Sequence, residues 1–101
     1  MADPILQCKG VLSFANRLKQ SEVPEAVAIA EEVIKNRYDS AIEERERWKD
    51  ACGKVEQLIE VLGSNPQVVT LRNHMSRTAA CWDDCAKAYL EFLETAEAES
   101  R

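Results

Sequence analysis

"LGSNPQ", residues 62–67, reads as one helix stopping and another starting. A glycine after an apolar run is a common helix stop, because it takes the left-handed cap conformation without a Cβ clash. Asn65 before Pro66 is the start. The Asn side chain accepts an unpaired N–H of the first turn, and proline at the first helical position has no N–H to leave unsatisfied. Helices joined by so short a loop must lie antiparallel.

The flanking runs carry the pattern that such a hairpin needs. Upstream, the apolar stripe runs Val27, Ala30, Ile34, Tyr38, Ala41, Arg45, Trp48, Cys52, Val55, Ile59, Leu62. Downstream it runs Val68, Leu71, Met75, Thr78, Trp82, Cys85, Tyr89, Phe92, Ala96. The steps alternate three and four, with one extra four around Ile34. This is the seam of helices packed along their length at a shallow angle. Folding at the loop sets Leu62 opposite Val68, Ile59 opposite Leu71, Val55 opposite Met75 and Cys52 opposite Thr78. It sets Trp48 opposite Trp82, Arg45 opposite Cys85, Ala41 opposite Tyr89, Tyr38 opposite Phe92 and Ile34 opposite Ala96. Two stripes read independently keep step, with the two tryptophans expected in one layer.

The other two prolines mark the other two starts. Pro4 follows Asp3, and Pro24 follows "SEV" with Ser21 close by. The expected helices cover about 4–20, 24–63 and 66–98, with no strands. The first is amphipathic through Ile5, Cys8, Val11, Leu12, Ala15 and Leu18, with Phe14 at the margin. At 1.5 Å per residue it spans about 24 Å against about 60 Å for the second. It therefore covers only the base of the hairpin, against Ile34, Tyr38, Ile42, Tyr89, Phe92 and Leu93. The expected fold is all-α, one domain over residues 1–101: a long, coiled-coil-like antiparallel helical hairpin with a short N-terminal third helix packed at its base.

Composition narrows the function classes. With 46% hydrophobic and 31% charged residues, the chain is neither disordered nor membrane-spanning. Its longest apolar stretch is about as long as "AVAIA" at 26–30, far short of the roughly 20 residues that cross a bilayer. The start "MADPILQCKG" has no basic stretch leading into an apolar core, so no signal peptide is read. Four cysteines without an export signal suit reduced thiols, and the expected location is the cytoplasm. A net charge of −5 argues against a dedicated nucleic-acid coat.

The stretch that most resembles chemistry is "CWDDC", residues 81–85. Cys81 and Cys85 stand one turn apart and suggest a thiol or metal protein. A structural zinc usually needs four Cys or His ligands. The lone His74 lies about 10 Å along the axis, too far to share the ion. The spacing is also not that of a C-x-x-C redox pair. Trp82 and Cys85 are expected to face the second helix, Asp83 and Asp84 the edge or solvent. No cofactor and no metal is expected. A single histidine, isolated glycines and the charge-paired run Glu43–Arg47 offer no carrier for catalysis, so the chain is not expected to be an enzyme.

Charge is uneven. Residues 45–77 hold six cations, Arg45, Arg47, Lys49, Lys54, Arg72 and Arg77, against four carboxylates, Glu46, Asp50, Glu56 and Glu60. Arg45 sits at a seam position, where its stem packs over Cys85 and its head reaches Asp84 or water. This half suggests one alternative function, binding of an anion, nucleotide or nucleic acid through Arg45, Arg47, Lys49, Arg72, His74 and Arg77. The leading expectation is a non-catalytic protein-interaction, regulatory or inhibitor protein. Its apolar tip, which the first helix cannot reach, would pair with a second copy through Leu58, Val61, Leu62, Val69 and Met75, with Lys54 and Arg72 on the rim.

Overall fold

The computed structural model describes residues 3–99. Among them are three helices and no strand: α1, Pro4–Lys19; α2, Pro24–Leu62; α3, Pro66–Glu99. α2 and α3 form the antiparallel hairpin, and α1 packs against both. The body measures 59 × 24 × 15 Å. The long axis is the length of α2 itself, about 58 Å at 1.5 Å per residue.

Local chemistry explains the boundaries. Asp3 caps α1 by accepting the N–H of Ile5 at 3.0 Å. Asn65 does the same for α3, accepting from Gln67 at 2.9 Å. α2 begins differently. Val23 at its cap makes no side-chain bond, and Ser21 Oγ accepts the Val23 N–H at 3.2 Å. Gly63 ends α2 with its N–H on the Ile59 carbonyl at 2.8 Å. Its φ of 81° is positive as expected, but ψ is 179°. That places it in an extended region open essentially to glycine alone, rather than in the left-handed helical well.

The core is narrow and lies at the base. Cys8, Ala15, Ala30, Ile34, Ala41, Cys85, Ala86, Tyr89 and Phe92 form one buried cluster, edged by Ile5, Leu12, Leu18, Tyr38, Ile42 and Leu93. Nearer the tip only Val55 and Ala79 are buried. All four buried residues of α2, Ala30, Ile34, Ala41 and Val55, fall on the expected seam.

On α3 the seam needs a correction. Tyr89, Trp82, Met75 and Val68 face inward as one heptad row. Toward the tip the alternating row is Ala79 and Arg72 rather than Thr78 and Leu71, while at the base Cys85 and Ala86 are both buried. Leu71 is 43% exposed. Each residue of the expected row stands one position before its true counterpart, a turn of about 100° on the helix. The physical reason is competition for faces. Small alanines let α3 approach α2 closely, and the larger row turns toward the side on which α1 packs. Leu62, expected inside the seam, is 67% exposed.

The expected aromatic layer changes too. Trp48 makes its ring contact with His74, not Trp82: the centroids are 6.3 Å apart and the planes 87° apart. Cys52 Sγ likewise reaches the carbonyl of Arg72 at 3.8 Å rather than Thr78. Both contacts fall nearer the start of α3 than the expected pairing.

Candidate functional site

The hairpin has two long grooves, and α1 occupies part of one. At the base, Cys85 on α3 packs under α1. Its thiol donates to the Pro4 carbonyl at 3.3 Å, and the Cys8 thiol donates to the Cys85 carbonyl at 3.8 Å. The same heptad row of α3 runs Phe92, Cys85, Thr78, Leu71. Its first two members are buried, Thr78 is half-buried and Leu71 is exposed. On α2 the row Ala41, Trp48, Val55, Leu62 begins fully buried and ends exposed. Cover therefore thins beside Trp48 and Thr78, where α1 begins, although Val55 beyond them is buried again.

A cavity of about 410 Å³ opens at that point. Glu44 and Trp48 line it from α2, His74, Thr78 and Trp82 from α3, and Asp3 and Pro4 close its end. Thr78 points its hydroxyl back to the His74 carbonyl at 2.9 Å, so the wall it offers is its methyl side. Beyond lie Leu58, 42% exposed, Leu62 and Leu71. Val61 is 80% exposed. Val69 and Met75 are half-buried. By helical spacing Val69 continues the row of Arg72, Ser76 and Ala80, toward the opposite groove. The five residues expected at an interface thus divide between two faces.

The opposite groove is lined by Lys49, Cys52, Gly53, Glu56, Ser76, Ala79, Ala80 and Asp83. Arg45 crosses it. Its Nη1 donates to Asp83 Oδ1 at 2.9 Å, and Nη2 pairs with Glu46 at 2.9 Å. Lys87 binds the other Asp83 oxygen at 2.9 Å. Lys87 and then Arg45 hold the Asp83 carboxyl below the ordinary carboxylate range. The expected partner of Arg45 was Asp84 or water. Asp83 takes that role because its position on α3 follows the Ala79–Ala86 side that turns to α2.

The other expected cations do not converge. Arg47 pairs with Glu43 and Glu44. Arg72 donates to Asn73 Oδ1, and Arg77 Nε to the Asn73 carbonyl. His74 belongs to one groove and Lys49 to the other.

The residues of "CWDDC" sit in different environments. Burial first, then the neighbouring Cys8 thiol, pushes the Cys85 thiol up to about 12, so it stays protonated and poorly nucleophilic near neutrality. Cys81 and Trp82 are half-buried and Asp84 is exposed. Among the described residues no group of three or more His, Cys, Asp or Glu side chains is placed to hold a metal ion. No helix among them is long and apolar enough to cross a membrane.

One feature lay beyond sequence reasoning. A second set of apolar side chains is exposed toward the base, Leu6 and Phe14 on α1 and Ile29 and Val33 on α2. The spacing of Leu6 and Phe14 on the outer face of the first helix was the available signal.

Comparison with known protein families, with characterised proteins and with solved structures finds no match.

Proposed function

We propose that this chain is a non-catalytic protein-interaction module, regulatory or inhibitory in character, that works as a homodimer through the tip of its hairpin. One observation carries the reading. The chain exposes 7103 Å². A compact monomer of 11.4 kDa exposes roughly 5,800 Å². The surplus, roughly 1,300 Å², exceeds the roughly 800 Å² that each partner contributes to a standard interface. Apolar side chains are exposed at the tip, where Leu58, Val61, Leu62 and Leu71 are wet. At about 25 cal/mol per Å² of apolar area, covering a few hundred Å² is worth several kcal/mol, comparable with the whole stability of a small domain.

Two-fold pairing is the simplest way for a single gene product to cover such a surface, because one patch serves both sides. The cytoplasm is the proposed location, because Cys8, Cys52, Cys81 and Cys85 are all free thiols. Light scattering coupled to gel filtration at tens of micromolar tests the proposal. A mass twice 11.4 kDa supports it, and a mass at the monomer value overturns self-association.

A further inference from the structure

We infer that the groove beyond the N-terminus of α1 is the seat of the second copy, and that α1 sets how far the two hairpins overlap. The inference rests on the homodimer reading and names the face and register that it uses. At the base, α1 fills the groove between the α2 row Ala41–Trp48–Val55–Leu62 and the α3 row Phe92–Cys85–Thr78–Leu71. Both rows continue past α1 without a change of face. The groove past the Asp3–Pro4 end of α1 is therefore an extension of an interface already built in this chain, with its third helix missing.

The dimensions match an overlap of two tips. From Trp48 to Leu62 the groove, with buried Val55 on its floor, runs fourteen residues of α2, about 21 Å, close to the length of α1 itself at about 24 Å. A second hairpin entering antiparallel, tip first, lays Leu58, Leu62 and Leu71 against Trp48 and Trp82 until its Gly63–Pro66 loop meets Asp3 and Pro4. The two-fold axis makes the reverse contacts identical. The product is a four-helix core about four turns long, with each α1 acting as an end stop.

Charge allows the approach. Between Trp48 and Thr78 the chain holds four cations, Lys49, Lys54, Arg72 and Arg77, against three carboxylates, Asp50, Glu56 and Glu60. The whole chain carries −5, so the negative excess lies toward the base. Tip-to-tip pairing brings the near-neutral halves together and keeps the acidic bases apart. The base patch around Phe14 and Ile29 would do the opposite.

The protein carries its own probe, because its two tryptophans both line the groove. Light scattering comes first; a monomer there removes the dimer and this inference with it. For a dimer, isotope-filtered NMR on a mixture of labelled and unlabelled protein should show contacts between copies. They should run from the Trp48 and Trp82 ring protons to Leu58 and Leu62 methyls. Contacts between copies centred on Phe14, Ile29 and Val33, or none from either indole, overturn the seat while leaving the dimer intact. Leu71→Glu should weaken dimerisation at least tenfold with helicity unchanged, since Leu71 is exposed in the single chain. Phe14→Glu should leave it within twofold. Equal effects from both substitutions overturn the proposal.

Discussion

Trp48 meets His74 edge to face across the hairpin, with ring centroids 6.3 Å apart. His74 stands eight residues before Trp82, about 12 Å along α3, so this contact reports the register of the two helices. An edge-to-face aromatic pair contributes about 0.5–1.5 kcal/mol beyond its buried area. A double-mutant cycle of Trp48→Ala with His74→Ala, followed by urea unfolding, should return a coupling in that range. Trp48→Ala with Trp82→Ala should couple more weakly. A stronger coupling between the tryptophans would restore the pairing expected from the apolar stripes.

Among the described residues, Ile34 is the only large side chain with none of its surface exposed. It anchors the cluster where all three helices meet. Ile34→Ala removes three carbons from a site hemmed in by Cys8, Ala30 and Tyr89's layer, and should cost about 2–5 kcal/mol. Val33→Ala, one residue away but exposed, should stay within about 1 kcal/mol. Thermal and urea unfolding of the two variants side by side checks where the core sits.

The helix starts were legible because each rests on chemistry within four residues: Asp3 and Asn65 cap as their types demand, and each proline stands where its missing N–H costs nothing. The seam of α2 was legible because its apolar residues recur at alternating steps of three and four among charged ones. The seam of α3 was half legible. Two adjacent heptad rows, Cys85–Thr78–Leu71 and Ala86–Ala79–Arg72, both fit a hairpin, and side-chain size favours the first. Ala79 and Ala86 of the second row are buried, while Cys85 of the first bonds to Pro4 and Cys8 of α1, contacts that a pairwise reading of two stripes omits. Of the candidate site, the exposure of Leu58 and Val61 followed from the mismatch between helix lengths. The cavity at Trp48 and His74 depends on register to within a turn, which periodicity alone leaves open.

Alkaline pH should unfold the protein through its buried base. Burial, reinforced by Cys8, pushes both the Cys85 thiol and the Tyr89 phenol up to about 12 in the folded chain. Their ordinary values are 9.0 and 10.0. A raised value means that folding favours the neutral form. The associated stability is present in full below the ordinary value and is lost as pH climbs toward the folded one. Stability should therefore fall between about pH 9 and 12. Tyr89→Phe keeps the ring and removes the phenol, so its urea midpoint should fall less steeply with pH over the upper part of that window. Parallel slopes for the two proteins would show that Tyr89 ionises as freely in the folded chain as in the unfolded one.

Two glycines should respond to alanine with opposite signs. Gly53 lies mid-helix in α2, and a methyl added there meets no atom within 4 Å. Gly53→Ala removes backbone freedom from the unfolded chain and adds helix propensity, so it should stabilise by about 0.5–1 kcal/mol. Gly63 also has open space for a methyl, yet its φ of 81° and ψ of 179° lie where an L side chain collides with its own backbone. Gly63→Ala should destabilise by about 1–3 kcal/mol. Space is available at both sites, so the contrast isolates backbone conformation as the cause. The Gly63 variant also bears on the turn, since relief of the strain requires the Ile59–Gly63 hydrogen bond to give way and the loop to re-form. Urea midpoints of the two variants, with unchanged slopes, measure the difference. A neutral Gly63→Ala would mean that the loop adopts another conformation without cost and that the strained glycine does not hold the hairpin's turn.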